Sequence, residues 1–403
     1  MAITTISEPS RPTPASSVLP WQPGHPVWQL GFRPFYLLAA LFAAVSIPLW
    51  LASYLGVATA SLQVSMGWHM HEMVFGFAVA VVVGFLFTAG RNWTGLPTPQ
   101  GAHLMALAAI WLAGRVAMLA APAPVAAVID LLFLPLCAWS LFQVLWRSGN
   151  HRNLFLVGLL ALLTVANGLY HASVMGMLAL SYFVPVQAAI FVIVLIESVL
   201  GARVIPMFTR NGAPGSSPVA SPKRALVAAG LMAAAAVAWL FGAPGVVTAP
   251  LALAAGAMSL ANLLAWQPQR TLRVPLLWIL HLSYAWVGIG FVLLACASLH
   301  WLPASAAFHA LTVGSMAGLI IGMMTRTTLG HTGRPLKAGR KEAAMYWLVQ
   351  LGAVARLLSA VAPAALAMPA LLLAGACWSV AFVLYAATYA QYLWRPRVDG
   401  REG

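Results

Sequence analysis

The chain has 403 residues, of which 62% are hydrophobic and 7% charged, with a formal net charge of +14. Globular domains carry about 25% charged residues, so a soluble domain is excluded, and no polar stretch is long enough to fold as a separate soluble unit. Nucleic-acid binding is excluded as well: binders gather Lys and Arg on one face, whereas here they stand singly between apolar runs.

Residues 1–30 are polar, with Pro, Ser and Thr frequent, and lack the charged and apolar regions of a cleaved signal peptide. A disordered leader is expected there. The three cysteines, Cys137, Cys296 and Cys377, lie singly inside apolar runs with no CxxC, which reads as buried packing residues and not a disulfide framework.

About 20 apolar residues cross a bilayer. Apolar runs bounded by Gly, Pro, Arg or Asn predict an all-α bundle of about twelve transmembrane helices, over 32–55, 69–90, 102–120, 124–146, 153–175, 181–203, 224–243, 246–266, 275–299, 304–325, 342–362 and 367–394. They form a single transmembrane domain over 31–395, followed by a short basic tail over 396–403. The loop charges test the count. Loops after even-numbered spans hold Arg91; Arg147 and Arg152; Arg210 and Lys223; Arg270 and Arg273; and Arg326, Arg334, Lys337, Arg340 and Lys341. Loops after odd-numbered spans hold no Lys or Arg. The positive-inside rule then puts both termini in the cytoplasm. No internal repeat stands out.

Ionisable residues inside spans are costly and often functional. His69, His71 and Glu72 open span 2 at the outer face, His171 closes span 5 there, His309 lies in the first turns of span 10, and His300 precedes it. Imidazole suits iron and copper, and histidines at one depth on different helices are how bundles hold cofactors. The outer group therefore reads as a metal or haem site with ligands His69, His71, His171 and His309. Two residues apart on a helix point about 200° apart, so His69 and His71 serve two centres, or one of them lies before the first turn. Gly76, Ala80 and Gly84 share a face with His69, and Gly314, Gly318 and Gly322 recur every four residues in span 10. Such stripes let a helix, or a flat macrocycle, approach closely.

Arg115 and Asp130 flank a short outer loop and read as an ion pair. Arg356, in the outer half of span 11, has either Glu72 or a haem propionate as its expected partner. Glu197, mid-membrane in span 6, reads either as a proton relay or as a partner for Arg203 or a nearby polar side chain. The Gly residues, Thr332 and basic flank of 329–334 suit an anion-binding turn or, more simply, a tight cytoplasmic loop.

Several segments carry a resemblance. Gly31-Phe32-Arg33-Pro34-Phe35 enters span 1, His69-Met70-His71-Glu72-Met73-Val74-Phe75-Gly76-Phe77 opens span 2, and Asn92-Trp93-Thr94-Gly95 follows it. Asn167 to His171 closes span 5, and Arg203-Val204-Ile205-Pro206-Met207-Phe208-Thr209 ends span 6. Thr325-Arg326 and Leu329-Gly330-His331-Thr332-Gly333-Arg334 follow span 10. In this order, from about residue 25 to the C-terminus, they resemble the NnrS family of bacterial inner-membrane proteins. The resemblance implies twelve spans, haem b and copper, and a role in nitric oxide metabolism and nitrosative-stress tolerance during denitrification. A haem site would also give Arg356 a propionate to bind.

Three functional readings follow. In the first, nitric oxide binds at the outer-half site, with or without reduction there, any protons coming from Glu72 or Glu197 and any electrons from an unidentified donor. Haem–copper oxidases offer a parallel in span number and metal depth, although spans 6 and 7 here carry no His where those enzymes place copper ligands. The second reading is a non-catalytic haem-based sensor or sink. The third is a transporter for a metal or anion.

Overall fold

The computed structural model describes residues 18–57 and 62–401. These residues form helices and no strand. Twelve helices are long and apolar enough to cross a membrane: Phe32–Tyr54, Met66–Thr94, Gly101–Ala120, Ala123–Arg147, His151–Val174, Phe183–Gly212, Pro222–Leu240, Gly245–Ala265, Pro275–Ser298, Ala304–His331, Arg340–Val361 and Ala364–Trp394. They are called spans 1 to 12 below. Spans 6 and 10 run further than their apolar cores suggest, through Arg203 and Arg210 in one and Arg326 in the other. A helix satisfies its own backbone hydrogen bonds, so it can continue past the hydrocarbon into the polar interface.

Part of the expected leader, residues 1–17, lies outside the described residues. The expectation of disorder does not hold over 18–30, which fold onto the bundle. His25 Nδ1 accepts the Val27 N–H at 3.2 Å, and the Trp28 indole donates to the Pro20 carbonyl at 2.7 Å. The His25 ring meets Trp394 edge-on at 5.2 Å, so the segment before span 1 and the end of span 12 share one face of the bundle, the terminal face. The other is the far face.

A buried cation closes the bundle at the terminal face. Arg33 is fully buried and donates to the carbonyls of Leu393 at 2.9 Å and Arg395 at 2.8 Å. Leu393 belongs to the last turn of span 12, whose carbonyls have no intrahelical partner and attract positive charge. Span 1 is thereby tied to span 12.

Spans 2 and 10 lie at the centre. Their apolar stretches are 83% and 78% buried, against 33% for span 7. Both share one irregularity. Each opens with a short α-helical stretch ending in histidine (Met66–His71 and Ala304–His309), widens into a π-helical segment (Glu72–Ala78 and Ala310–Ala317), then resumes as α-helix. Such segments often mark functional sites. Span 4 breaks between Leu131 and Phe133. Pro135 follows, and its missing N–H leaves the Leu131 carbonyl without an intrahelical donor.

The glycine stripe of span 10 packs against span 9. A methyl group on Gly314 would meet the Trp286 ring at 2.5 Å, and one on Gly322 would meet Leu280 at 2.9 Å. The close approach is helix on helix. Gly314→Ala should therefore force the two spans apart and cost about 1–3 kcal/mol, read as a lower melting midpoint in detergent. Gly230→Ala, where the added methyl meets nothing within 4 Å, should leave the midpoint unchanged or raise it.

Candidate metal centre

Ser65 caps the start of span 2, its hydroxyl accepting the Trp68 N–H at 3.1 Å. This fixes the first turn and aims His69 and His71 in different directions. His71 points toward spans 4 and 5, and His69 points toward spans 1 and 10. The two imidazoles occupy separate surroundings, as their spacing required.

On the His71 side, six buried polar residues from four spans form one network. His71 Nδ1 lies 2.8 Å from Glu72 Oε1, and His71 Nε2 lies 2.9 Å from Asn167 Oδ1 and 3.2 Å from Asp130 Oδ2. His171 Nε2 lies 3.0 Å from Asp130 Oδ2, and the Asn167 amide donates to the same oxygen at 2.7 Å. Arg115 donates to Glu72 Oε1 at 2.6 Å and also bonds Asp130 Oδ1. The ion pair of Arg115 and Asp130 is thus present, extended by a second carboxylate. Glu72 meets Arg115, not Arg356, which corrects one of the two partners expected for Arg356.

Ligand atoms of His71, Asp130 and His171 all lie within 4.8 Å of one another, and all three residues are buried. Two imidazoles and a carboxylate form a donor set that suits a transition metal. The charge agrees: two carboxylates against one guanidinium leave one negative charge, which an imidazolium or a bound monovalent cation cancels. One Glu72 oxygen, Oε2, is buried with no hydrogen-bond partner. A cavity of about 310 Å³ at the far face reaches His171 between Trp68, Met118 and Tyr170.

On the other side of span 2, the His69 ring stacks on Trp50, with centroids 4.1 Å apart and planes 19° apart. Its Nδ1 is buried without a partner. His309 and Arg356 lie within electrostatic reach of it. His309 Nδ1 bonds the Ser305 carbonyl at 2.7 Å, and Arg356 donates to Ser359 Oγ at 2.8 Å. These residues bring two imidazoles and a cation together, which suits haem ligation with a propionate. The indole of Trp50 covers one face of the His69 ring and leaves the unpartnered Nδ1 on its edge.

Glu197 joins neither group. It accepts from Ser315 at 3.2 Å, while Arg203 pairs with the Asn153 side chain at 3.0 Å. Of the alternatives read from the sequence, the nearby polar side chain is therefore its partner. His300 stays in the loop before span 10, lining a different cavity. The segment 329–334 is a helix end and not an anion cradle. Gly333, at φ +76°, donates to Gly330 O, Arg334 donates to Leu329 O and Thr332 to Thr328 O. This closure of the last turn uses the N–H groups an anion would need.

Asn167 and Asp130 were not read as parts of one site from the sequence. Asn167 and His171 stand four apart and so share a helix face, which was the available signal for the first. Asp130 was visible as a partner for Arg115, but not as a ligand.

Residues 26–397 match the protein family described as NnrS protein. No curated protein matches the chain.

Removing Arg115 leaves two buried carboxylates uncompensated. Arg115→Met should cost about 3–5 kcal/mol, seen as a lower melting midpoint in detergent. Adding Asp130→Asn should recover part of that loss, because the two groups are coupled; strictly additive effects would show that they are not.

Proposed function

Because the chain belongs to the NnrS family, we propose that it acts in nitric oxide metabolism in a bacterial inner membrane, holding copper at His71, Asp130 and His171 and haem b beside His69 and His309. The copper assignment rests on one observation, the convergence of three buried ligand atoms within 4.8 Å. Imidazole suits copper, and the metal would take the place of the proton that His71 otherwise holds between its acceptors. The haem assignment rests on paired imidazoles, the unpartnered His69 Nδ1 and Arg356 as propionate partner.

Copper and haem iron, when bound, supply redox-active centres at which a diatomic gas binds. The protein's own residues do the rest. Arg115 and Asn167 hold Asp130 in place, and Asp130 in turn orients His71 and His171. Trp68 and Tyr170 wall the cavity that gives a small gas access to His171. If nitric oxide is reduced, two molecules take up two electrons and two protons to give nitrous oxide and water. Glu72, whose Oε2 faces the interior without a partner, is the carboxylate beside the imidazoles that holds such a proton. Glu197 lies in a separate setting beside Ser315 and is the deeper candidate. The electron donor is external to this chain.

Metal analysis and optical spectra of the purified full-length protein test the proposal. Wild type should carry copper and a haem b Soret band that shifts when nitric oxide is added to the reduced protein. His171→Ala should lose copper and keep the Soret band, whereas His309→Ala should lose the band and keep copper. Preparations grown with ample iron and copper that contain neither overturn the reading. Loss of both groups in both variants would overturn the assignment to two separate sites.

A further inference from the structure

At the terminal face, spans 2, 5, 6 and 10 leave a cleft of about 650 Å³. Arg152, Arg203 and Arg326 line it, and no carboxylate does. None of the three arginines forms an ion pair among the described residues. Arg152 and Arg203 are near enough to repel each other. Arg203 donates only to the neutral Asn153, and Arg326 lies over the Phe208 ring at 3.8 Å. Three guanidiniums line one cleft that has no carboxylate among its lining residues.

The other wall is apolar and leads inward. Phe85, Leu200, Val204 and Met323 line this cleft and also line a narrow apolar slot of about 80 Å³ that runs on to Glu197 and Tyr36. A polar, positively charged mouth thus continues into a seam deeper in the membrane. Arg326 stands five residues from the end of span 10, about 8 Å along a helix, which is headgroup depth for a helix that ends in the interface. Guanidinium groups bind phosphate oxygens in paired, charge-assisted hydrogen bonds.

We infer that this cleft is a binding site for an anionic phospholipid, its phosphate held by Arg152, Arg203 and Arg326 and one acyl chain lying along Phe85, Leu200, Val204 and Met323. A phosphodiester supplies the missing negative charge, and the tail lies along the apolar wall with a few of its methylenes entering the slot of about 80 Å³. By the loop charges this face is cytoplasmic, and the cytoplasmic leaflet is where anionic lipids attract basic groups. The site is separate from the far-face histidines and stands whether or not they hold metals.

Native mass spectrometry of the full-length protein, with melting midpoints in parallel, tests this. The probes are phosphatidylglycerol, phosphatidylcholine and inorganic phosphate. Phosphatidylglycerol should bind and raise the midpoint more than phosphatidylcholine, and inorganic phosphate should not reproduce the effect. Arg203→Gln and Arg326→Gln should each weaken phosphatidylglycerol binding about tenfold. Arg152→Gln, on an exposed residue that holds no other side chain, should weaken it without disturbing the fold. Leu200→Trp should block the tail while leaving all three arginines in place. If inorganic phosphate gives the full effect, or Leu200→Trp changes nothing, the occupant is a soluble anion and the lipid assignment fails. If phosphatidylglycerol and phosphatidylcholine behave alike in wild type and in the arginine variants, there is no anion site.

Discussion

A carboxylate inside an apolar bundle cannot stand without compensation, and Asp130 is such a carboxylate. Its two oxygens take bonds from Arg115, Asn167, His71 and His171, so one buried charge fixes spans 2, 3, 4 and 5 in relation to one another. Other features follow from meeting this requirement. Span 4 breaks one residue beyond Asp130. Asn167 and His171 share the inward face of span 5. Gly76 is kept small because a methyl there would meet Arg115 at 2.8 Å and Glu72 at 2.9 Å. The arrangement leaves little freedom: loosening any member exposes the others to an uncompensated charge.

Span 2 divides the far half of the bundle into two chemical settings. On one side imidazole, carboxylate and guanidinium form a closed, charge-dense network. On the other, His69 packs against an indole and faces His309 and Arg356 across a sparser space. The two settings differ in charge, although the histidines that define them are separated by a single residue, Met70. Two polar environments of different character are therefore built from one helical turn. The π-helical segment directly after His71 and the similar one after His309 place both irregular turns beneath these histidines.

Much of this was legible in the sequence, and the limits have physical causes. Span number and position followed from hydropathy, because a bilayer sets helix length. The divergence of His69 and His71 followed from helical geometry alone. The pairing of Arg115 and Asp130 followed from the cost of burying either by itself. Which helices are neighbours did not follow, since apolar side chains facing lipid and facing protein look alike in sequence. That is why Arg356 could be matched with Glu72, although the two lie on different sides of span 2. The π-helical segments were also invisible, as Glu72–Ala78 and Ala310–Ala317 carry no proline and no composition that sets them apart. The extension of spans 6 and 10 was missed because arginines at a helix end resemble a loop. In 329–334 the glycines close a helix and do not cradle an anion.

The link between Arg33 and the end of span 12 bears on how the protein is made. Arg33 is made with the first span, while the carbonyls it binds belong to the end of the twelfth. Until span 12 is made, this link between the first and last spans cannot form. Spans 1 and 12 are thus joined in this way only once span 12 is complete, and a chain truncated before Leu393 would lack these contacts.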